Sequence, residues 1–162
     1  MTMKELAGEA DVFISFRFNE AHAEALALKE ELEERQFNVF LSDVSPGGDL
    51  QSIIARALAS CRLTVVPATH SYGRQTNGLF DTSSELNFIT GQRKNFILVR
   101  MIAPNASYAE ARTVAAFPPS TESMPWMPGQ PLPEKLLEKV LDELAKERET
   151  PALSQLSSTN EE

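Results

Sequence analysis

The sequence predicts an α/β domain in which a parallel sheet carries helices on both faces. Short apolar runs suited to buried strands alternate along the chain with helical segments of roughly 10–15 residues. The helical segments also carry apolar stripes on one side, as helices packed on a sheet do. In such a sheet, ligands bind beyond the carboxyl ends of the strands.

The first part of the chain predicts three strands and two helices. Residues 12–16, 37–41 and 63–67 are apolar runs short enough for buried strands. The first helix has a buried stripe of Ala21, Ala25, Leu28 and Leu32. Its opposite side is acidic and is expected to be solvated, with Glu24, Glu30, Glu31, Glu33 and Glu34. The second helix has Asp49 as its expected N-cap and a stripe of Leu50, Ile53, Ile54, Ala57, Leu58 and Cys61.

The rest of the chain predicts a helix over 83–91, a fourth strand over 96–102 and a short helix near 107–115. A fifth strand falls within the proline-rich passage 117–133, at a position that the pattern does not fix. A last helix begins at Pro133 and has a stripe of Leu136, Leu137, Val140, Leu141 and Leu144. We therefore divide the chain into an N-terminal extension (1–10), one domain (11–149) and a disordered tail (150–162).

Composition limits the possible functions. The chain has 162 residues and a net charge of −8, which argues against binding nucleic acid or acidic membranes through a general basic surface. No apolar run approaches the roughly 20 residues of a membrane span, and no signal-peptide pattern is present, so we expect a cytoplasmic protein. Cys61 is the single cysteine, and His22 and His70 are not spaced as metal ligands, so neither a disulfide nor a metal site is expected.

Four polar segments should meet at one edge of the predicted sheet. Arg17 follows the first strand, loop 42–49 follows the second, and residues 70–72 follow the third. Glu85 lies at the start of the next helix. Because carboxyl ends of parallel strands share one edge, these segments form the candidate site.

Several of these segments resemble the sequence boxes of the TIR (Toll/interleukin-1 receptor/resistance protein) family. Residues 11–17, with the sequence DVFISFR, resemble the first box, and the segment through Pro46-Gly47 resembles the second. Trp126 stands where the third box has an aromatic residue, and Ser71-Tyr72 resembles the pair after the family's third strand. The resemblance covers 11–146 and implies a flavodoxin-like fold with a parallel five-stranded sheet.

The resemblance also implies an activity. Enzymatic TIR domains cleave the nicotinamide–ribose bond of NAD⁺ with one glutamate at the start of the third helix, which matches Glu85, and release nicotinamide with ADP-ribose or a cyclic product. NAD⁺ is then the substrate and no cofactor is needed. Where those relatives often carry Trp, this chain has Asp81, with Phe80 as the nearby aromatic. The expected substrate-binding residues are Phe16, Arg17, Pro46, Gly47, Gly48, Tyr72 and Phe80.

The chemistry needs only one carboxylate, because nicotinamide is already a cationic leaving group and the ribose develops positive charge as in glycoside cleavage. Other interpretations remain open. Thr82 and Glu85 have the spacing of a capping box, Arg17 can pair with the acidic first helix, and Gly47-Gly48 can be a simple turn.

At the level of the whole domain, the main alternative is a non-catalytic adaptor that signals by homotypic assembly through loop 42–49 and the neighbouring helices. A nucleic-acid-acting enzyme that uses the same glutamate is a third possibility, against which the acidic balance counts. The expected partners are NAD⁺, further copies of the chain and other TIR proteins, in immune or cell-death signalling.

Overall fold

The computed structural model describes residues 9–42, 50–74, 82–92 and 94–146. Within them, five parallel strands form one sheet in the order β2-β1-β3-β4-β5. The strands are β1 (Val12–Ile14), β2 (Val39–Leu41), β3 (Leu63–Ala68), β4 (Phe96–Arg100) and β5 (Ser123–Pro125). This arrangement confirms the predicted flavodoxin-like fold class.

A helix follows each of these strands. The helices are α1 (Phe18–Glu34), α2 (Leu50–Ser60), α3 (Thr82–Gly91), α4 (Ala111–Ala116) and α5 (134–146). The predicted tail, most of the predicted extension and Asp49 lie outside the described residues. None of the helices in the described part of the chain has both the length and the hydropathy of a membrane span.

Two apolar cores cover the two faces of the sheet. On one face, Phe13 and Val66 pack with α2 and α3 through Leu58 and Leu86. On the other face, α1 and α5 pack on the sheet through two sets of buried side chains, which are Ala21, Ala25, Leu28 and Leu32 in α1 and Leu136, Val140 and Leu144 in α5. The predicted stripes of the two helices are thus confirmed. Burial on both faces explains why the central strands are mainly apolar.

The sequence predicted that Glu24 of α1 lies on the solvated side of the helix, and this prediction is wrong. Only 8% of Glu24 is exposed. Its Oε2 atom accepts a hydrogen bond at 3.0 Å from the backbone N–H of Gly129 in the turn before α5. Glu24 lies one helical turn from Ala21 and Leu28, beside the buried stripe, so this turn covers it. The other glutamates of that face are exposed or half-buried, as predicted.

The predicted elements are present, and their ends differ by a few residues. The strand predicted over 12–16 ends at Ile14, and the short helix predicted near 107–115 spans Ala111–Ala116. The fifth strand, Ser123–Pro125, pairs with the last three residues of β4. A three-residue strand that ends in proline is too short to show a period of two.

Asp11 fixes the end of the sheet opposite to the predicted site. Its Oδ1 atom lies 3.0 Å from Nη1 of Arg62, and its Oδ2 atom accepts a hydrogen bond at 2.8 Å from the backbone N–H of Asn38. Arg62 also donates to the carbonyl of Leu144 in α5 at 2.6 Å. The first residue of the DVFISFR segment therefore joins the amino ends of β1, β2 and β3 to α5.

Candidate functional site

The strand order reverses between β1 and β3, which makes the carboxyl ends of these strands the topological switch point. The chain leaves β1 toward α1 on one face of the sheet, whereas the segment after β3 leads to α3 on the other. Ligand sites of doubly wound sheets lie in the crevice at such a point. Arg17, Tyr72 and Glu85 all lie at this edge, as the sequence predicted from the strand ends.

The segment that leaves β1 is fixed on both sides. The backbone N–H of Ser15 donates to the carbonyl of Val65 in β3 at 2.9 Å. On the other side, the Ser42 hydroxyl accepts from the N–H of Phe16 at 3.1 Å and lies 3.3 Å from the carbonyl of Phe16, to which it donates. Ser15 and Phe16 thus extend the sheet edge in a defined conformation beyond the end of β1.

Glu85 lies in the first turn of α3 and is only 2% exposed. Its Oε1 atom accepts a hydrogen bond from the hydroxyl of Ser15 at 2.6 Å. The Tyr72 hydroxyl lies 2.5 Å from the same Ser15 oxygen. Because a serine hydroxyl has one proton and Ser15 donates it to the carboxylate, Tyr72 must donate to Ser15. The three side chains form a buried relay that runs from Tyr72 through Ser15 to Glu85.

Tyr72 is suited to the donor end of this relay. Complete burial raises the pKa of Tyr72 well above its ordinary value, and the negative charge of Glu85 raises it further. The phenol therefore stays protonated at physiological pH and can donate. The sequence predicted that Tyr72 contacts the dinucleotide, whereas its hydroxyl points to Ser15 in the interior.

The loop that carries Tyr72 is held by several hydrogen bonds. The N–H of Tyr72 donates to the carbonyl of Thr69 at 3.1 Å, and the Tyr72 carbonyl accepts from the hydroxyl of Thr113 in α4 at 2.5 Å. The next residue, Gly73, has a φ of 91° and donates its N–H to the hydroxyl of Thr82 at 3.1 Å. The loop is thereby joined to α4 and to the first residue of α3, so Tyr72 and Glu85 have a fixed separation.

Thr82 and Glu85 have the spacing of a capping box, but both side chains also bond to residues outside α3. The Thr82 hydroxyl accepts from Gly73, outside α3. The Glu85 carboxylate accepts from Ser15, which is 70 residues away in the sequence and belongs to the segment after β1. Glu85 therefore joins α3 to the sheet in addition to any role within its own helix.

Charged groups of opposite sign lie beside the relay. Nη1 of Arg17 donates to the carbonyl of Ser71 at 3.4 Å. In the first turn of α1, Glu20 accepts from the Thr69 hydroxyl and from the N–H of Ser71. Burial alone raises the pKa of Glu20, but these hydrogen bonds and the charge of Arg17 together bring it below the ordinary value. The acidic helix that the sequence allowed as a partner for Arg17 thus interacts with it electrostatically through Glu20.

The remaining predicted site residues fall into two groups. Phe16 is 3% exposed, and its ring stacks against His22 with ring centroids 6.4 Å apart. Four residues that were predicted to bind the phosphates or to stack on a base lie outside the described residues, and these are Pro46, Gly47, Gly48 and Phe80. In the described ranges, no three His, Cys, Asp or Glu side chains are grouped as metal ligands.

Sequence reasoning missed three polar residues of this edge, which are Ser15, Glu20 and Thr69. One signal in the sequence could have identified two of them, which is their position at a strand end. Ser15 and Thr69 directly follow β1 and β3. Their partners lie 49 to 70 residues away, so no local spacing pattern indicates the pairing.

The TIR domain family model matches residues 12–122 of the chain. No curated protein matches its sequence. The TIR domain of the Toll-related receptor TRR-2 from Hydra magnipapillata has 17% identity and a TM-score of 0.52, with 72% of this chain and 84% of that chain covered.

The TIR domains of the activated Roq1 resistosome, which directly recognises the pathogen effector XopQ, have 23% identity and a TM-score of 0.47. That match covers 59% of this chain and 60% of the other. The family match spans more than two thirds of the sequence and includes β1, the switch point and Glu85. This chain therefore belongs to the TIR domain family.

Proposed function

We propose that this TIR domain is an NAD⁺ glycohydrolase (an NAD⁺ nucleosidase), with a cytoplasmic role in immune or cell-death signalling. One observation carries the proposal, which is the buried carboxylate of Glu85 at the β1–β3 switch point. A carboxylate at the ligand edge of a doubly wound sheet, held on a polar relay, is suited to stabilise a cation formed in the crevice.

The proposed reaction breaks the bond between C1′ of the ribose and the nicotinamide nitrogen. The electron pair leaves with nicotinamide, which becomes neutral, while positive charge develops on C1′ and the ring oxygen. Glu85 stabilises that charge and orients the ribose. Water then adds to C1′ and loses a proton to give ADP-ribose, whereas attack by an adenine nitrogen gives the cyclic product.

Access of the substrate to Glu85 depends on assembly in this proposal. With 2% of Glu85 exposed, the ribose reaches the carboxylate only when this edge opens. We propose that contact between TIR domains, of this chain or of another TIR protein, opens or completes the site. Arg17, which is half-buried beside Ser71, is placed to attract the diphosphate.

A second candidate is supported by the same contacts. The buried hydrogen bond between Ser15 and Glu85 joins β1 to α3, and this contact has structural value without any chemistry. In that case the chain is an adaptor that signals by homotypic assembly, and Glu85 stabilises the fold only. The two candidates differ in whether nicotinamide is released.

The experiment is to incubate the purified chain with NAD⁺, at high protein concentration and with a crowding agent, and to measure nicotinamide by chromatography. We expect release by the wild type, and a loss of about 10²–10³ in rate for Glu85→Gln and for Glu85→Ala. Glu85→Gln should keep stability near the wild type, whereas Glu85→Ala, which leaves the buried Ser15 hydroxyl without its acceptor, should lose roughly 1–3 kcal/mol. Glu122→Gln is the matched control, since Glu122 is exposed at the opposite end of the sheet.

Binding must be measured with activity. Calorimetry should show that Glu85→Gln still binds NAD⁺, so that its loss of turnover reflects chemistry. If this variant keeps more than about a tenth of the wild-type turnover, Glu85 is not the catalytic carboxylate. If the wild type releases no nicotinamide while light scattering shows assembly, the adaptor function is supported.

A further inference from the structure

We propose that Ser15 and Tyr72 are positioning residues that hold the Glu85 carboxylate ionised and in one orientation through a relay of two buried hydroxyl groups. This inference rests on the proposed function of Glu85. It assigns a role to a serine that lies outside the predicted binding set, and it places Tyr72 behind the carboxylate rather than against the dinucleotide.

The geometry of the relay is specific. The successive O···O distances are 2.5 Å from Tyr72 to Ser15 and 2.6 Å from Ser15 to Glu85, which are typical of short bonds that end on a charged acceptor. Ser15 and Tyr72 are completely buried. Because the side chains come from three separate segments, one after β1, one after β3 and one in α3, the relay forms only when all three are packed.

The direction of donation gives the relay its electrostatic effect. Each hydroxyl has one proton, and both protons point toward Glu85. Donation from Tyr72 polarises the Ser15 hydroxyl, which strengthens the bond that Ser15 makes to the carboxylate in a region of low dielectric. Hydrogen bonds to the charged form of an acid favour that form, so the relay favours the carboxylate form of Glu85, which is the form that can stabilise a cationic ribose.

Both hydroxyl groups are carried by rigid backbone. The backbone N–H of Ser15 donates to the carbonyl of Val65, so Ser15 continues the pairing of β1 with β3. The backbone of Tyr72 is held by hydrogen bonds to Thr69 and Thr113. A glutamate side chain in the first turn of a helix can adopt several rotamers when it is exposed to solvent. Here its Oε1 atom is tied to the sheet, which is the arrangement that a preorganised catalytic group requires.

The test compares Ser15→Ala and Tyr72→Phe with two matched controls. Thr64→Val removes a buried hydroxyl near the amino end of β3, and Tyr108→Phe removes the same phenol oxygen from a buried tyrosine outside the relay. We expect kcat to fall roughly tenfold in Ser15→Ala, the scale of one lost charge-assisted hydrogen bond, and less in Tyr72→Phe. KM should stay within about twofold, because neither side chain contacts substrate, and both controls should keep the wild-type kcat.

The pH profile separates positioning from a structural role. Without the Ser15 donor, the pKa of the catalytic carboxyl rises, so the acidic limb of kcat/KM should move about one pH unit higher in Ser15→Ala. Tyr72→Phe should move the limb in the same direction by less. A variant that is merely less stable loses folded protein but leaves the limb in place, and circular dichroism measures the folded fraction.

A double-mutant cycle gives a readout without catalysis. In urea unfolding, Ser15→Ala should be more destabilising in the wild type than in the Glu85→Gln background, where the acceptor is neutral. Equal effects in the two backgrounds would show that Ser15 does not support the charge. If Ser15→Ala does not fold, Tyr72→Phe, which loses a single oxygen atom, carries the same comparison.

The outcomes distinguish the two proposals. If Glu85→Gln abolishes nicotinamide release while Ser15→Ala and Tyr72→Phe keep kcat and the acidic limb, the positioning role is overturned and the proposed function stands. If the wild type releases no nicotinamide, or Glu85→Gln releases as much as the wild type, the proposed function is overturned and the positioning role with it.

Discussion

Among the glycines that the structure describes, Gly73 is the one where an added methyl group should disturb the site most. Its φ of 91° lies in the region that L side chains rarely adopt. A Cβ atom here would overlap the Thr113 hydroxyl and lie 3.4 Å from Cδ2 of Leu86. The Thr113 hydroxyl is the group that donates to the Tyr72 carbonyl. Gly73→Ala therefore combines backbone strain, steric overlap and a lost hydrogen bond next to the relay.

The three contributions can be added approximately. A non-glycine residue in the left-handed region costs about 1–2 kcal/mol. Overpacking of a well-filled interior costs about 1–3 kcal/mol, and the displaced hydrogen bond about 0.5–1.5 kcal/mol. We expect a loss of roughly 2.5–6.5 kcal/mol in the free energy of unfolding, against a total of about 5–15 kcal/mol for a domain. The melting temperature should fall by roughly 5–25 °C for a chain of this length.

Two other glycines separate these contributions in urea unfolding. Gly129 has a φ of 87° with no atom near a built Cβ, so Gly129→Ala should show the strain alone, about 1–2 kcal/mol. Gly91 has neither positive φ nor a close neighbour, and Gly91→Ala in α3 should range from no change to about 1 kcal/mol more stable. The expected order of destabilisation is Gly73→Ala, then Gly129→Ala, then Gly91→Ala.

The overlap with Thr113 can be tested directly. Thr113→Ala removes the hydroxyl, so Gly73→Ala should cost at least about 1 kcal/mol less in that background than in the wild type. If Gly73→Ala is no more destabilising than Gly129→Ala, or if the Thr113→Ala background brings no relief, the backbone absorbs the methyl group and the reasoning is refuted.

Three further predictions concern the rest of the domain. Arg62→Met should cost about 2 kcal/mol in urea unfolding, because it leaves the half-buried Asp11 without its cation and removes the donor to Leu144, and an unchanged midpoint would contradict it. Folding lowers the pKa of Glu20, so its carboxylate stabilises the domain at neutral pH, and this contribution is lost as the pH falls through the folded pKa. The difference in unfolding free energy between the wild type and Glu20→Gln should therefore shrink below roughly pH 4, and a difference that stays constant would exclude this linkage. Specific activity should rise with protein concentration, whereas constant turnover over a hundredfold range with monomer in light scattering would show that one chain holds a complete site.

The sequence was sufficient for the fold because its elements are locally encoded. An apolar run such as 63–67 is a strand by length and composition, and a stripe such as that of α1 has helical spacing. Strand ends were less well predicted, since β1 stops at Ile14 although Phe16 is also apolar and buried. The fifth strand could not be located, because Ser123–Pro125 is defined by its pairing with β4 and by no pattern of its own.

The site was predictable only as far as topology determines it. The rule that ligands bind beyond the strand ends placed Arg17, Tyr72 and Glu85 at one edge, and the structure brings them there. The rule does not say which polar group contacts which. Glu85 accepts from Ser15 and Glu20 from Thr69, and these pairs exist only after the sheet has formed.

The alternation of β1 explains why one short segment serves both the fold and the site. Side chains of a strand point to opposite faces in turn, so Val12, Ile14 and Phe16 enter the core beneath α1 and α5. Phe13 enters the other core, and the next side chain of that parity is Ser15, directed toward α3 at the carboxyl end of the strand. A hydroxyl one position earlier or later would face α1 and could not contact Glu85. The serine of the DVFISFR segment is therefore placed by parity where the carboxylate of α3 needs a donor.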